Sequence, residues 1–421
     1  MANPSIQLGT NSNWAVKEDK LLAYKEYNDY FFNKEFDFSR GTSATYVAKD
    51  GLIASAASGV PRIDFTNDTK GHLLLEPSRT NVITYSNGFD DLSWQKTAVN
   101  VTANAGISPD GTNNAYLIEA QSNISNHRTR KTGGPNNTVS VSIFAKKGTT
   151  DYAYFFCGGG SKHFAAIFDL SDGSVTDTNT QASGTILTSA SSISLGNGWY
   201  RLQVSGSFTT PPGNRIGIVP YYQSTIVGTP DTSWLGSGES IYVYGAMEEN
   251  DSYPTSYIPT TVATSTRNAD VCNNSGSAQD FNDSEGVLYA EIAALADDGT
   301  ARRMSISDST TSNRVVLMYH STSNVVRGFV SSGGSLVSDM TYTVSDTTQV
   351  SKIAFSYKQD DFKIFIDGVQ RITDDSGNTP TGLKELAFDG GSGSNDFYGK
   401  VINLQVFTEA LTDSELQELT S

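Results

Sequence analysis

The stretch that most narrows the possible fold lies in the last two-fifths of the chain. Residues 352–369 read KIAFSYKQDDFKIFIDGV: apolar and polar residues alternate, break at Gln359, Asp360 and Asp361, resume, and turn at Asp367-Gly368. Successive side chains of a strand point to opposite faces, so this alternation describes two strands with one buried side. An Asp-Gly pair supplies the positive φ angles that a tight hairpin needs. Residues 397–407 (FYGKVINLQVF) alternate again, and 408–419 read as a short closing helix. Thr412 is its N-cap, and Glu415 three residues on completes a capping box.

Composition extends that reading to the whole chain. At 421 residues the protein exceeds one comfortable core, so two or three domains are expected. Glycine (38), tyrosine (20) and phenylalanine (20) are plentiful and long charged amphipathic runs are scarce, which favours short strands joined by polar turns. No stretch approaches the roughly 20 apolar residues of a membrane-spanning helix, so no membrane insertion is expected. The formal charge of −16 repels phosphate backbones and anionic lipid, which argues against nucleic acid as a partner. It does not repel neutral polysaccharide or a basic protein surface. The opening residues MANPSI have neither the basic segment nor the apolar run of a secretory signal. Of the two cysteines, Cys157 reads as a small core hydrophobe and Cys272 as part of a linker, with no bridge expected between them.

Residues 1–35 form an N-terminal docking or oligomerisation segment in this reading. A helix is expected over 13–27, anchored by Trp14, Leu21, Leu22 and Tyr24; its apolar surface is too small to stand alone. Residues 36–85 are short extended pieces punctuated by Asp-Gly, Pro and Asn turns. Arg40, Arg62 and Arg79 recur there near Asp37, Asp64 and Glu76, as structural staples of the bidentate kind. Residues 86–271 read as a β-sandwich, with strands at 138–145, 163–169, 199–205, 215–222 and 240–244. Its turns fall at Asp110-Gly111, Asp172-Gly173 and Asn197-Gly198. A second sandwich occupies 272–421. The fold class is therefore all-β: two antiparallel jelly-roll sandwiches after a short N-terminal segment, with a short C-terminal helix.

Two resemblances sharpen this. The strings FDFSRGTSAT (36–45), DGLI (50–53), PRIDF (61–65) and LLLEPSRTN (73–81) resemble a module of bacteriophage virion surface proteins of tail-fibre and head-fibre type. The first departs by one residue from the spacing of that family's pattern. The likeness continues through YSNGFDDLSW (85–94), GNGWYR (196–201), YVYGAMEE (242–249) and SYIPTT (256–261), within a sandwich that looks like a carbohydrate-binding module. Residues 272–421 resemble the laminin-G-like, concanavalin-A-type jelly roll. Together these imply a non-enzymatic virion structural protein, a fibre or capsid decoration, adhering to host-surface or environmental glycan. They also imply a homotrimer that contacts other virion proteins through residues 1–35. Such a protein is made in the host cytoplasm and leaves on the particle surface, which suits a chain without a secretory signal.

Sugar recognition needs aromatic faces and a few planar polar groups. Tyr221, Tyr222 and Trp234 are the candidates in the central sandwich, the last on the Gly-rich loop 232–238; Trp94 and Trp199 read as core. Arg314 and Tyr319 are the candidates in the C-terminal sandwich. The four histidines show no ligand spacing with one another or with cysteine, so no zinc site is expected. The laminin-G resemblance admits calcium at Asp389 and Asp396, and no other cofactor is expected. For catalysis, a glycosidase needs two carboxylates across a cleft, whereas Glu248 and Glu249 are adjacent and point to opposite faces if extended. No nucleophile elbow or nucleotide loop occurs. Two alternatives stay open: a purely structural virion component without a ligand, and a polysaccharide depolymerase or glycoside hydrolase.

Overall fold

The computed structural model describes residues 2–27, 30–134, 136–159, 162–213, 215–229 and 232–421. Antiparallel strands make up nearly all of its regular structure, with one α-helix among the described residues, Asp413–Thr420 near the C-terminus. The central sandwich packs two six-stranded sheets. One runs Gln95–Thr97, Arg128–Thr132, Arg215–Tyr221, Tyr152–Gly159, Lys162–Asp169, Val175–Gln181. The other runs Val99–Gly106, Ala115–Ala120, Ser240–Glu249, Thr138–Lys147, Trp199–Phe208, Thr185–Gly196. Val141, Ile143, Phe155, Cys157, Phe164, Phe168, Val204 and Ile218 meet between them in a continuous core. Trp94 and Trp199 are buried, each indole N–H donating to a backbone carbonyl, of Tyr85 and Ile107 respectively.

The second sandwich sets a five-stranded sheet, Ser335–Thr343, Val325–Ser332, Arg314–Tyr319, Arg302–Ser307, Glu385–Ala387, against a twelve-stranded one. The hairpin at 352–369 lies in the larger sheet, with Phe355 opposite Ile364 and positive φ at both Asp367 and Gly368. The closing helix carries its capping box: Thr412 N donates to Glu415 Oε2 (3.0 Å) and Glu415 N to Thr412 Oγ1 (3.4 Å).

The helix expected over 13–27 does not form. Val16–Lys17 and Lys20–Tyr27 are strands, and the latter pairs with Tyr30–Ser39. Leu21 and Ala23, two apart, enter the core while Leu22 between them does not, which is strand periodicity. A helix of that length gains little by itself in water, whereas the strands bury their apolar side against residues hundreds of positions away. Ile6–Leu8 pairs with Gly399–Phe407, so the strands Ile6–Leu8, Val16–Lys17, Lys20–Tyr27 and Tyr30–Ser39 belong to the large sheet of the C-terminal sandwich. Cys272 sits in an edge strand of the same sheet, opposite Phe38, and both cysteines are free and buried in separate cores.

The segment from 40 to 81 lies where the two sandwiches meet, and a buried ionic cluster holds it. Asp270 accepts from Arg40 Nη1 (2.9 Å) and Arg62 Nη2 (2.5 Å). Glu76 pairs with Arg62 (2.7 Å) and Arg267 (2.9 Å) and accepts from Ser256. Arg40 also donates to the carbonyls of Thr42, Ala57 and Val60, and Arg267 to that of Pro77. Of the pairs anticipated here, Arg62 with Glu76 forms. Arg40 instead finds Asp270, Arg79 finds Asp251 (2.6 Å), Asp37 pairs with Lys20, and Asp64 accepts backbone N–H groups from Val47 and Thr66.

Burial by itself would raise the pKa of Glu76, but Arg267, Arg62 and the Ser256 hydrogen bonds hold it down to about 2. A carboxyl depressed on folding adds stability that is complete above its unfolded pKa and is lost as pH falls toward the folded value. Thermal unfolding between pH 6 and pH 2.5 should therefore show a falling Tm below about pH 4.5, with on the order of 3 kcal/mol withdrawn from this group. Glu76→Gln should lower Tm at neutral pH and flatten that slope; an unchanged slope would show that the cluster does not govern acid stability.

Candidate aromatic binding site

The sheet containing Tyr152–Gly159 is apolar on both sides, and the aromatic candidates gather on its outer side. Phe155 and Cys157 point into the core, so Tyr154 and Phe156 point out, alongside Ala165, Ile167, Val219 and Tyr221. An antiparallel sheet usually leaves one side to water. Here residues 222–229 and 232–235 return along this side and cover part of it. Thr176 Oγ1 donates to the Ser224 carbonyl (2.7 Å), Ile226 N to Asp177 Oδ2 (2.7 Å), and Val227 N to the Tyr221 hydroxyl (3.2 Å). Trp234–Leu235 then pairs with Ile124–Ser125.

This return brings all three aromatic candidates together. The rings of Tyr222 and Trp234 lie 4.7 Å apart at 33°, Tyr221 and Tyr222 4.8 Å apart, and Tyr221 meets Trp234 edge-on at 6.3 Å. Behind Trp234 stands His127, edge-on at 4.5 Å, whose Nδ1 lies 2.7 Å from the Ala98 carbonyl and whose Nε2 lies 3.2 Å from that of Trp234. Tyr221 is buried, and burial raises its pKa; its part is to support the other two. Tyr222 remains 39% exposed, and the neighbouring Ile124 (74%) and Leu235 (66%) extend the open apolar surface. Two rings tilted at 33° and held from behind offer an aromatic surface to the C–H face of a flat, partly apolar ligand.

No protein-family model and no curated protein sequence matches the chain. Among solved structures it is similar to the CBM40 of a Ruminococcus gnavus IT-sialidase bound to α2,3-sialyllactose, at 15% identity and a TM-score of 0.30, covering 35% of this chain and 94% of that one. It is similar to laminin α1 domains LG4-5 of mouse at 12% identity and a TM-score of 0.24, over 76% and 96% of the two chains. It is also similar to domain 4 of a GH43 arabinanase from Geobacillus stearothermophilus in complex with arabinotriose, at 12% identity and a TM-score of 0.29, over 41% and 84%.

The C-terminal candidates fall differently. Arg314 lies on the outer side of the five-stranded sheet, its guanidinium 5.1 Å from the Phe329 ring and hydrogen-bonded to the Gly390 carbonyl. Tyr319 is five residues further along the same strand and points the other way, into the core, where it is 2% exposed and its hydroxyl donates to the Ile292 carbonyl (3.0 Å). It has no route to a ligand. Asp389 is buried, and its two oxygens accept from Gly391 N (2.5 Å) and Gly393 N (2.9 Å) of its own loop; Asp396 accepts from the Tyr398 hydroxyl (3.0 Å). Burial raises both carboxyls, and Asp389 adds to the rise at Asp396. Calcium takes six to eight oxygens, and no cluster of three or more His, Cys, Asp or Glu suited to a metal occurs among the described residues. Two carboxylates, one already spent on its loop, fit the ion poorly.

Sequence reasoning did not find a cavity of about 720 Å³ where residues 45–76 meet Phe144, Arg201 and Gln203 of the central sandwich and 294–298 of the other. Its carboxylates are committed, Asp297 to the Ser323 hydroxyl and the Asn324 N–H among them. Glu76 belongs to the ionic cluster, Asp64 accepts two backbone N–H groups, Arg201 donates to Ser142 and Thr255, and Asp298 pairs with Arg302 (2.9 Å).

Tyr319→Phe should cost about 1 kcal/mol through one buried hydrogen bond, measured by denaturant unfolding, and should leave any ligand affinity unchanged. A loss of binding without a loss of stability would return Tyr319 to the candidate site.

Proposed function

We propose that this chain is a non-enzymatic surface protein of a phage particle, a fibre or capsid decoration, that adheres to host-surface or environmental glycan. The observation that carries the adhesion reading is the Tyr222–Trp234 pair, two rings 4.7 Å apart at the surface and flanked by exposed Ile124 and Leu235. An aromatic pair left partly open to solvent beside exposed Ile124 and Leu235 costs solubility, and a ligand accounts for it. The virion setting is supported by the sequence strings between residues 36 and 261. The commitment of the cavity's carboxylates to ion pairs and backbone groups supports binding over hydrolysis. Weak sites of this kind suit a particle that repeats them, because avidity does not require tight single contacts.

The test is a glycan-array screen of the full chain, with and without calcium. A reproducible hit should weaken by about tenfold or more in Trp234→Ala with Tm preserved, as loss of a central aromatic anchor implies. Silence of the wild type under both conditions would sink adhesion in favour of a ligand-free structural component, and reducing ends released from a bound glycan would favour the depolymerase.

Docking and trimerisation are proposed to use the hairpin Lys20–Tyr27/Tyr30–Ser39, where consecutive Tyr30, Phe31 and Phe32 are all exposed. Deleting residues 1–35 would remove Ile6, Leu8, Leu21 and Ala23 from the core, so that truncation cannot separate docking from folding. Replacing Tyr30, Phe31 and Phe32 together by Ser should keep Tm and lower the assembly mass seen by light scattering. An unchanged mass would remove the hairpin from the assembly surface.

A further inference from the structure

The three middle strands of the five-stranded sheet place three arginines on its outer side, with Asp339 and Glu385 on the two edge strands of the same side. Register places nine side chains in three rows: Arg303, Met318 and Arg327; Ser305, Val316 and Phe329; Ser307, Arg314 and Ser331. Directly paired residues of antiparallel strands share a face, and the opposite face of these strands supplies Met304, Ile306, Leu317 and Val330 to the core. The array therefore points away from the core. Its apolar members Val316, Met318 and Phe329 are buried as a floor, with Arg314 and Arg327 over the Phe329 ring at 5.1 and 4.6 Å.

The three guanidiniums are not equivalent. Arg327 is held by both oxygens of Asp339 at 2.6 and 2.9 Å. Arg303 and Arg314 have no carboxylate within ion-pair distance among the described residues, and the Nε of each is buried without an acceptor. The Ser305 hydroxyl in the next row, fully buried, also lacks a partner. Asp389 borders the array but spends its oxygens on Gly391 and Gly393. Burial, with repulsion from neighbouring guanidiniums, lowers the pKa of Arg303 and Arg314. Leaving three donors unmatched beside mutually repelling cations is costly unless an acceptor-rich anion completes them.

We propose that Arg303 and Arg314, with Ser305 between the rows, form a second binding site that takes a carboxylate-bearing sugar. A planar carboxylate suits the guanidinium fork, and the adjacent serines suit hydroxyl groups beside it. The net charge of −16 repels densely charged polymers and so favours a ligand with sparse carboxylates.

The test is calorimetric titration of the full chain with hyaluronan hexasaccharide, with uncharged chitohexaose of equal length and polyglutamate as separate arms. The hexasaccharide should bind, more weakly as salt rises, and chitohexaose should not compete at this site. Arg303→Ala/Arg314→Ala should weaken binding by about tenfold or more, and the Lys pair, which keeps charge and fold but loses the fork, should weaken it partly. Trp234→Ala should leave this binding intact, so failure of the aromatic site and failure of this one are distinguishable. No binding by the hexasaccharide, affinity unchanged in both double variants, or equal affinity for polyglutamate would each overturn the proposal.

Discussion

The structure depends on the buried cluster of Arg40, Arg62 and Arg267 around Asp270 and Glu76. Taking five charges out of water is expensive, and the attraction between them offsets that only when the remaining donors are also satisfied. Here they largely are, because Arg40 and Arg267 send further N–H groups to backbone carbonyls and Ser256 donates twice to Glu76. The cluster joins segments near 40, 62, 76, 256 and 270, and each leads directly into a core. Phe38, two residues before Arg40, packs in the C-terminal sandwich, and Cys272, two residues after Asp270, packs beside it. Ile83, beyond the strand Arg79–Asn81, packs in the central one. An apolar seam would bury area without saying which residue belongs where, whereas paired charges penalise every other register.

How much of this was legible follows from the range of each interaction. Strands such as Thr138–Lys147 and Trp199–Phe208 announce themselves through local alternation and Gly-containing turns, and the all-β class with its capped terminal helix follows from the same signals. The segment 13–27 misleads because its apolar residues fit both a short helix and a strand. Only its neighbours Tyr30–Ser39 and Ile6–Leu8 settle the choice, and the latter is itself held by Gly399–Phe407, nearly the whole chain away. The arginine staples were legible as staples but not in their pairing, since Arg40 reaches a partner 230 positions on. Parity alone places Tyr319 opposite Arg314 once Arg314 faces outward. Arg303 and Ser305, by contrast, acquire meaning only through cross-strand neighbours that no local pattern reveals.

The two sandwiches solve the same packing problem in opposite ways. Each has a sheet whose outer side is too apolar to be left to water. In the central sandwich a returning loop and its aromatic residues cover Tyr154, Phe156 and Val219, leaving an aromatic surface at the margin. In the C-terminal sandwich the stems of long cationic side chains cover Val316, Met318 and Phe329, leaving guanidiniums at the surface. What covers an apolar sheet thus determines what the sheet can recognise. Rings select by shape and C–H contact and are nearly indifferent to salt, while unpaired guanidiniums select by charge and weaken as salt rises. Were both proposed sites to bind, a heteropolysaccharide whose neutral and acidic units alternate would suit the chain. One molecule of that kind would engage both surfaces where its length matched their separation, and the second contact would form at the effective concentration set by the first.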